Sequence, residues 1–451
     1  MLLRFAVSNF LSFAEEIDFN LFPYDRLKTH QDHLYETPKV KLLKAAAVYG
    51  GNGAGKSNLI KALKYLHLAV VDPEFDFFQA GHRLNDTGLG SASCFEIEFF
   101  FGERYYSYLL RTAFGGIEEE SLYEIDPKED GQVVLFSRTR NAETGKIDLS
   151  VSERYAKTEK DKLLVQVYAE GVLTDQMPFL RLISEKEQFG DLGSVYEYFV
   201  RNLHFVFPND TIGGIASALY LHPEIGEIIN NLFAQLDTGA KKVELRTTTF
   251  EAYYGIEYQH LKPMVLSTLE GVQDYMYLPH ETDDVIVTKN EKDQLFAHRV
   301  MLVHETTGGE DCFFEFDQES DGTQRILELL PIVIYLTVPG MVVFVDEIGR
   351  SLHPKLLKSL IRLILDQQLE GQLIFTTHDV NLLDLSLFRQ DEIWFVEKNH
   401  VGGSRAYPMS DFKPRYDLDI RKGYLSGRFG AVPALDQLAN AQLKLEYATE
   451  E

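Results

Sequence analysis

The amino-acid sequence predicts an α/β protein with a mostly parallel core sheet, an antiparallel β subdomain and a helical insertion. Three observations support this fold class. Residues 42–49 have a strand pattern that runs into a Gly-rich turn and a helix with leucines on one face. Strand-like runs joined by Gly and charged turns fill residues 93–170. Past residue 310, strands and helices alternate, which is typical of a parallel sheet.

The same patterns divide the chain into three parts. Residues 1–175 hold the Gly-rich loop and the β-rich arm, and residues 301–451 return to the core sheet and end in a tail. Residues 176–300 are predicted to form a mainly helical insert. No long heptad run is visible there, which argues against a coiled coil.

One apolar run, residues 326–345, carries a single charge and is long enough to cross a bilayer. Pro331 and Pro339 interrupt it, and two acidic residues follow it directly. We therefore predict a helix of about ten residues followed by one buried parallel strand at 341–346, and no membrane span.

Charge and cysteine content narrow the class of protein. The chain has 44 Lys and Arg against 69 Asp and Glu, a formal charge of −25, which disfavours general binding of nucleic acid. Cys94 and Cys312 lack metal-ligand spacing and do not form a disulfide framework. The N-terminal residues carry no secretory signal, so the expected location is the cytoplasm.

Residues 50–57, GGNGAGKS, match the phosphate-loop pattern G-x-x-x-x-G-K-[ST]. Glycines let backbone N–H groups close around phosphates, and the following helix N-terminus adds positive potential. Lys56 is predicted to reach the β and γ phosphates of ATP, and Ser57 to bind Mg²⁺. An ordinary Gly-rich turn is the alternative. The predicted nucleotide-binding residues of this loop are Gly50, Gly51, Asn52, Gly53, Ala54, Gly55, Lys56, Ser57 and Asn58.

The stretch VVFVDEI places two carboxylates at the end of a buried strand. A carboxylate in this position can hold the Mg²⁺ shell, and a second one can polarise water. We assign Asp346 to the metal and Glu347 as the general base. A strand that ends in helix-capping acids is the alternative.

With these motifs in place, residues 1–70 and 310–430 resemble the ABC-type ATPases of the SMC, RecF and OLD-like group. LRFAVSNFLSF resembles the opening strand and turn of that group, with Leu11 where an Arg is usual. ESDGTQRILELL resembles the ABC signature, which implies that Ser320 and Gly322 grip the γ-phosphate held by a facing subunit. Taken alone, this stretch could be an ordinary helix cap.

Two more motifs fit the resemblance. IGRSLHP resembles the loop after the catalytic Glu, with Gly349 where an Asp is usual. FTTHD ends a strand with His378, which matches the switch histidine that senses the γ-phosphate. A structural histidine near a strand end is the alternative for this residue.

The resemblance also implies partners. A facing signature means that two ATP molecules are sandwiched between two heads, so the chain should at least dimerise. After the last core strand, near residue 397, about fifty residues remain, too few for the Toprim nuclease domain of OLD proteins. The tail instead resembles stand-alone bacterial ATPases in phage defence, as in the phage anti-restriction-induced system. This resemblance implies a separately encoded effector, a Toprim-type nuclease, and a phage-encoded protein as a candidate trigger.

The sequence leaves the roles of two features undecided, the basic patch of the tail and Gln79. The tail carries a basic patch that could meet an acidic partner, nucleic acid or a neighbour's phosphate, although a solvated face or intersubunit ion pairs also explain it. Within it, Arg428 is a candidate arginine finger. Gln79 is a candidate for the glutamine that joins the two lobes, or an ordinary polar loop residue. The patch consists of Lys413, Arg415, Arg421, Lys422 and Arg428.

Three functions compete. The first is an ATPase whose ATP-driven assembly holds and releases a toxic effector during phage defence. The second is a DNA-repair clamp of RecF type that binds DNA when ATP is bound, which the net charge opposes. The third is the ATPase subunit of a membrane transporter, whose coupling groove is not recognisable here.

Overall fold

The structure, a computed structural model, describes residues 1–432 with several short gaps. The residues left out within this range are 79, 85–89, 114, 130, 142, 209–214, 222, 236–238, 271–273, 279–284, 368, 414 and 416–417.

The described residues form β-strands and α-helices in the order that the sequence patterns indicate for both ends of the chain. The strands are β1 Leu2–Ser8, β2 Ile17–Asn20, β3 Leu34–Glu36, β4 Lys41–Leu43, β5 Ala45–Tyr49, β6 Ser93–Phe101, β7 Arg104–Ala113, β8 Gly116–Ile125, β9 Gln132–Arg140, β10 Ile147–Val151, β11 Leu203–Val206, β12 Lys242–Thr249, β13 Met276–Tyr277, β14 Val285–Lys289, β15 Leu295–Glu305, β16 Asp311–Phe314, β17 Val342–Val345, β18 Gln372–Thr377, β19 Ile393–Lys398 and β20 Ser404–Pro408. The helices are α1 Lys56–Val71, α2 Glu159–Val167, α3 Phe179–Ile183, α4 Asp191–Ser194, α5 Tyr196–Asn202, α6 Ile215–Leu221, α7 Pro223–Gln235, α8 Phe250–Tyr254, α9 Lys262–Leu269, α10 Asp321–Thr337, α11 Pro354–Leu365 and α12 Ile420–Leu425.

The core of the molecule is a six-stranded sheet with the order β11-β17-β18-β5-β19-β20. Its strands are parallel except for β20, which pairs antiparallel with β19. The strands β5, β17 and β18 therefore end at the same edge, where the Gly-rich loop and the acidic pair follow. This order confirms the predicted mostly parallel core sheet.

Both faces of the core sheet are covered, which explains why its strands are apolar throughout. Along β5, Ala46 and Val48 pack into one hydrophobic core, while Ala45, Ala47 and Tyr49 pack into a second core on the other face. The strand β17 alternates between the two cores in the same way. Continuous apolar runs are expected for parallel strands buried on both sides.

The β-rich arm is a seven-stranded antiparallel sheet with the order β10-β9-β8-β7-β6-β1-β2. It is joined to the core sheet by the fully buried side chain of Gln372 at the start of β18. The Gln372 amide accepts a hydrogen bond from Leu2 N at 2.7 Å and donates to Leu2 O at 3.0 Å and Leu43 O at 2.9 Å. The side chain of a core-sheet residue thus satisfies backbone groups of β1 in the antiparallel sheet and of β4, which pairs with β3 in a separate two-stranded sheet.

The prediction of a mainly helical insert at 176–300 is wrong for its second half. There β12, β13, β14 and β15 form an antiparallel sheet that β16 joins beyond the insert. Residues 203–206, predicted as part of a helix, are strand β11, which pairs parallel with β17 in the core sheet. Short apolar runs such as VIV in β14 are buried on both faces, so their periodicity does not separate strand from helix.

The apolar run 326–345 is mostly buried in the molecule, and only residues 337–339 at the end of the helix are exposed. It begins in α10, which continues past the buried Pro331 to Thr337, and ends in β17. Pro331 cannot donate one backbone hydrogen bond of the helix. The burial of the apolar residues on either side of it in α10 compensates for that loss. Within the described part of the chain, no helix is both long and apolar enough to cross a membrane.

Candidate nucleotide-binding site

The Gly-rich loop connects β5 to α1 at the carboxyl edge of the core sheet. Gly55 has φ 113°, a conformation that side chains rarely adopt, and a Cβ there would lie 2.7 Å from Ser12 Oγ and 2.5 Å from Ser404 Oγ. A Cβ at Gly50 would lie 2.3 Å from Val396 O. These glycines are therefore required for the tight path of the loop.

Lys56 is almost completely buried at the first position of α1. Its Nζ donates to Gly50 O at 2.9 Å and to Gly51 O at 3.2 Å, so the ammonium lies within the loop. Burial lowers the pKa of Lys56, and the carboxylates of Glu347 and Asp346 partly oppose this shift. The lysine is therefore close enough to the acidic pair for the charges to interact.

Two serines from distant parts of the chain support the loop. Asn58 Nδ2 donates to Ser12 Oγ at 2.7 Å, and Ser404 Oγ donates to Ala54 O at 2.6 Å. Ser404 N also donates to Ser12 O at 2.7 Å. The turn after β1 and the start of β20 are thus tied to each other and to the phosphate loop.

Asp346 and Glu347 follow β17, and a threonine of β18 orients both of them. Thr376 Oγ1 donates to Asp346 Oδ1 at 2.6 Å and accepts from Glu347 N at 2.8 Å. Asp346 is 4% exposed, whereas Glu347 is half-buried and has φ 50° in the left-handed region. The Thr376 hydroxyl therefore fixes both the carboxylate of Asp346 and the backbone N–H of Glu347.

The strand β18 lies between β5 and β17, so its end is adjacent to both motifs. His378 follows β18 directly and is exposed. The structure thus brings the phosphate loop with Lys56, the acidic pair and His378 to one edge of the sheet. The role of His378 as a sensor stays a prediction.

The signature-like stretch is at the same edge but displaced to one side. Ser320 caps α10, since its Oγ accepts from Thr323 N at 3.2 Å. Gly322 packs closely, because a Cβ there would lie 3.2 Å from Ser351 O. The helix precedes β17, which is two strands away from β5, about 10 Å at the usual strand spacing. Ser320 therefore caps α10, and the strand that follows this helix is separated by β18 from the strand that leads into the phosphate loop.

The glycine that replaces the usual Asp in IGRSLHP has a packing explanation. A Cβ at Gly349 would lie 2.7 Å from Leu357 Cδ2 in α11. A larger residue would require the buried Leu357 side chain to shift within the core between α11 and the sheet.

The basic patch of the tail lies on the surface, and its five cationic side chains are exposed. Lys422 pairs with Asp419 at 3.5 Å, and the Arg428 guanidinium lies 6.0 Å from the Phe429 ring. The tail is anchored beneath them, because Tyr424 and Phe429 stack on Phe395 of β19. The arginine-finger role of Arg428 stays a hypothesis, and Gln79 lies outside the described residues.

A cavity of about 480 Å³ adjoins the phosphate loop. It is lined by residues of the turn after β1, of α1 and of the segment before β6, among them Leu11, Ser12, Asn58, Lys61, Phe78 and Arg83. Leu11 occupies the position where the resemblance implies an Arg, and the Lys and Arg residues that line the cavity are Lys61, Arg83 and Lys398.

The residues fit ATP with Mg²⁺. Glycines whose Cβ atoms would clash form the loop, a buried lysine sits within it, and Ser57 and Asp346 supply the oxygen ligands that Mg²⁺ prefers. The parallel sheet, with the phosphate loop and the acidic pair at the same edge of it, defines an ABC-type P-loop ATPase head.

The chain belongs to the family described as "AAA domain, putative AbiEii toxin, Type IV TA system", whose model matches residues 45–154 and 214–384. The matched segments include the phosphate loop, the signature-like stretch and the acidic pair. The comparison with curated proteins finds no match.

Among solved structures, the chain is similar to SMC head domains. The SMC head domain from Thermotoga maritima is 13% identical with a TM-score of 0.39, and the match covers 90% of this chain and 98% of that one. An SMC head bound to the C-terminal winged-helix domain of ScpA is 14% identical with a TM-score of 0.42, and the match covers 92% and 99%.

The sequence did not single out Thr376, Ser12 or Ser404. Thr376 had a usable signal, since FTT places a polar residue in a buried strand, where a hydroxyl needs a partner. Ser404 had no such signal, because its contact with Ala54 joins residues 350 positions apart.

We predict that Thr376→Val destabilises the protein by about 1–3 kcal/mol, because Asp346 loses a donor and the Glu347 N–H loses its acceptor in a buried place. Chemical denaturation measures the change. Thr376→Ser keeps the hydroxyl and is the matched control. Equal stability of Thr376→Val and wild type would show that the hydroxyl does not hold the acidic pair.

Proposed function

We propose that the protein binds ATP with Mg²⁺ and hydrolyses it in the cytoplasm. The observation that carries this proposal is the Thr376 hydroxyl, which holds Asp346 and Glu347 at the strand end beside the Lys56 loop. Membership of the AAA family supports the same class of activity.

Each residue has a distinct part in this proposal. Lys56 exchanges its hydrogen bonds with Gly50 O and Gly51 O for contacts with the β and γ phosphates. Mg²⁺, when bound, neutralises charge on the phosphate oxygens. Ser57 and the buried Asp346 hold the ion. The more exposed Glu347 accepts a proton from the attacking water.

The cavity beside the loop is the place for the base of the nucleotide. It adjoins Asn58 at the start of α1, and Phe78 offers a 54% exposed aromatic ring on its wall. A planar base can stack on such a ring. His378, exposed at the end of β18, would sense the γ-phosphate.

The site is completed by a second copy of the chain. Ser320 is exposed at the N-terminus of α10, and β17, the strand after this helix, lies two strands from β5, which leads into the phosphate loop. Two heads related by a twofold axis can each offer this helix N-terminus to the other's γ-phosphate. We therefore infer at least a homodimer with two ATP molecules at the interface.

The assembly controls a toxic effector. The family description names a toxin and a toxin–antitoxin system, which supports an ATPase that works beside a toxic activity. We propose that the ATP-bound assembly holds a separately encoded effector, a Toprim-type nuclease, and releases it when a phage-encoded trigger is sensed. The net charge of −25 favours a protein partner over direct DNA binding.

We predict that Glu347→Gln keeps ATP binding but lowers the rate of phosphate release by about 10²-fold or more, because the general base is lost. Lys56→Ala should lose ATP binding itself. Equilibrium nucleotide binding and phosphate release measure the two effects. Glu291→Gln and Lys292→Ala, exposed in the hairpin between β14 and β15, are matched controls. Wild-type turnover by Glu347→Gln would contradict the assignment.

We predict that Glu347→Gln, purified with ATP and Mg²⁺ from cells that carry the neighbouring genes, brings along a stoichiometric second protein with nuclease activity. Lys56→Ala should recover much less of it, because it cannot form the ATP-bound assembly. Mass determination of the intact complex identifies the partner. Recovery of a bare dimer with DNA would instead favour a DNA-repair clamp.

A further inference from the structure

A group of three metal-ligating side chains lies far from the phosphate loop. Among the residues that the structure describes, His30, Asp32 and His33 place one donor atom each within 4.8 Å of one another. Lys44 N, just before β5, donates to His33 O. The group therefore lies at the amino end of β5, about 16 Å from the phosphate loop at the other end of this five-residue strand.

The local backbone brings the two histidines together. Residues Gln31–His33 form a short 3₁₀ turn, and His30 before it has φ 45°. The imidazoles of His30 and His33 stack with centroids 4.8 Å apart and an angle of 30° between their planes. Asp32 lies between them in sequence and is exposed, so its carboxylate is free to move toward the rings.

Each imidazole is oriented through one nitrogen and keeps the other for a ligand. His33 Nδ1 is 3.0 Å from Glu392 Oε1 and 3.1 Å from Oε2, and Glu392 is fully buried. His30 Nε2 is 2.9 Å from Leu385 O. Metal-bound histidines have this arrangement, in which a carboxylate or carbonyl accepts from the nitrogen opposite the metal.

The carboxylate behind His33 is itself rigidly held. Arg389 N donates to Glu392 Oε2 at 2.8 Å. The Arg389 guanidinium donates to both oxygens of Asp391, at 2.9 and 2.8 Å, and to Thr29 O at 2.7 Å. The hydrogen bonds around Glu392 therefore connect Thr29, just before His30, to the turn before β19.

We propose that His30, Asp32 and His33 bind a divalent transition metal of the zinc class, with water as a fourth ligand. Two imidazoles and one carboxylate suit Zn²⁺ rather than Mg²⁺, which prefers oxygen ligands. A tetrahedral zinc needs donor atoms about 3.3 Å apart, so the site closes by about 1.5 Å from the 4.8 Å separation. The exposed Asp32 and half-buried His30 side chains allow this movement.

Metal at this site would fix the turn at residues 30–33, whose His33 is already bonded to Glu392 before β19. Because the metal binds the folded state, it stabilises that state in proportion to its occupancy. The site lies at the edge of the core sheet opposite the nucleotide and does not depend on ATP.

The test uses full-length protein without a histidine tag, stripped with a chelator and titrated with ZnCl₂. We expect one zinc per chain by elemental analysis, a rise in melting temperature, and a tetrahedral absorption spectrum when Co²⁺ replaces zinc. His30→Ala and Asp32→Ala should each bind zinc at least about tenfold more weakly. Both side chains lie outside the core, so these variants should fold.

Two controls separate this site from others. His260→Ala removes an exposed histidine elsewhere and should bind zinc as wild type does. Lys56→Ala should lose ATP binding and keep zinc, so that failure of the nucleotide site does not affect the result. Absence of a zinc equivalent in wild type, or equal zinc affinity in His30→Ala, would overturn the proposal.

Discussion

The hydroxyl of Thr376 is the contact on which the nucleotide site depends. It donates to Asp346 and accepts from the Glu347 N–H, and no other described side chain bonds to both residues. Because β18 lies between β5 and β17, this one side chain also sets the acidic pair relative to the phosphate loop. The carboxylates of Glu347 and Asp346 partly oppose the lowering of the Lys56 pKa by burial.

The hydrophobic cores and several long-range hydrogen bonds hold the elements of this site in place. Two hydrophobic cores cover the sheet, so the strand ends are rigid. Ser12, in the turn after β1 of the antiparallel sheet, accepts a hydrogen bond from Asn58 beside the phosphate loop. Ser404, at the start of β20, donates to Ala54 in that loop. Gln372 holds the two sheets together at the opposite edge. The two ends of the chain therefore meet at one site although more than 300 residues separate them.

Local signals made the two ends of the chain predictable. The phosphate loop follows a strand and opens a helix, and MVVFV is apolar because both faces of β17 are buried. The insert was harder, since β11 is a four-residue strand that becomes recognisable only beside β17. Contacts such as Ser404 with Ala54, and the zinc ligands' support from Glu392, join distant residues. Sequence periodicity carries no information about contacts of that kind.

We propose that two heads share each nucleotide through the helix that Ser320 caps. The measurement that tests it most directly is the native mass of Glu347→Gln, with ATP and Mg²⁺, in combination with Ser320→Asp or Ser320→Asn. Both replacements cap α10, but only Asp places a negative charge against the partner's γ-phosphate. If the nucleotide is shared, the Asn protein has a multiple of 51.6 kDa and the Asp protein has the mass of a single chain. Equal assembly of both would contradict it.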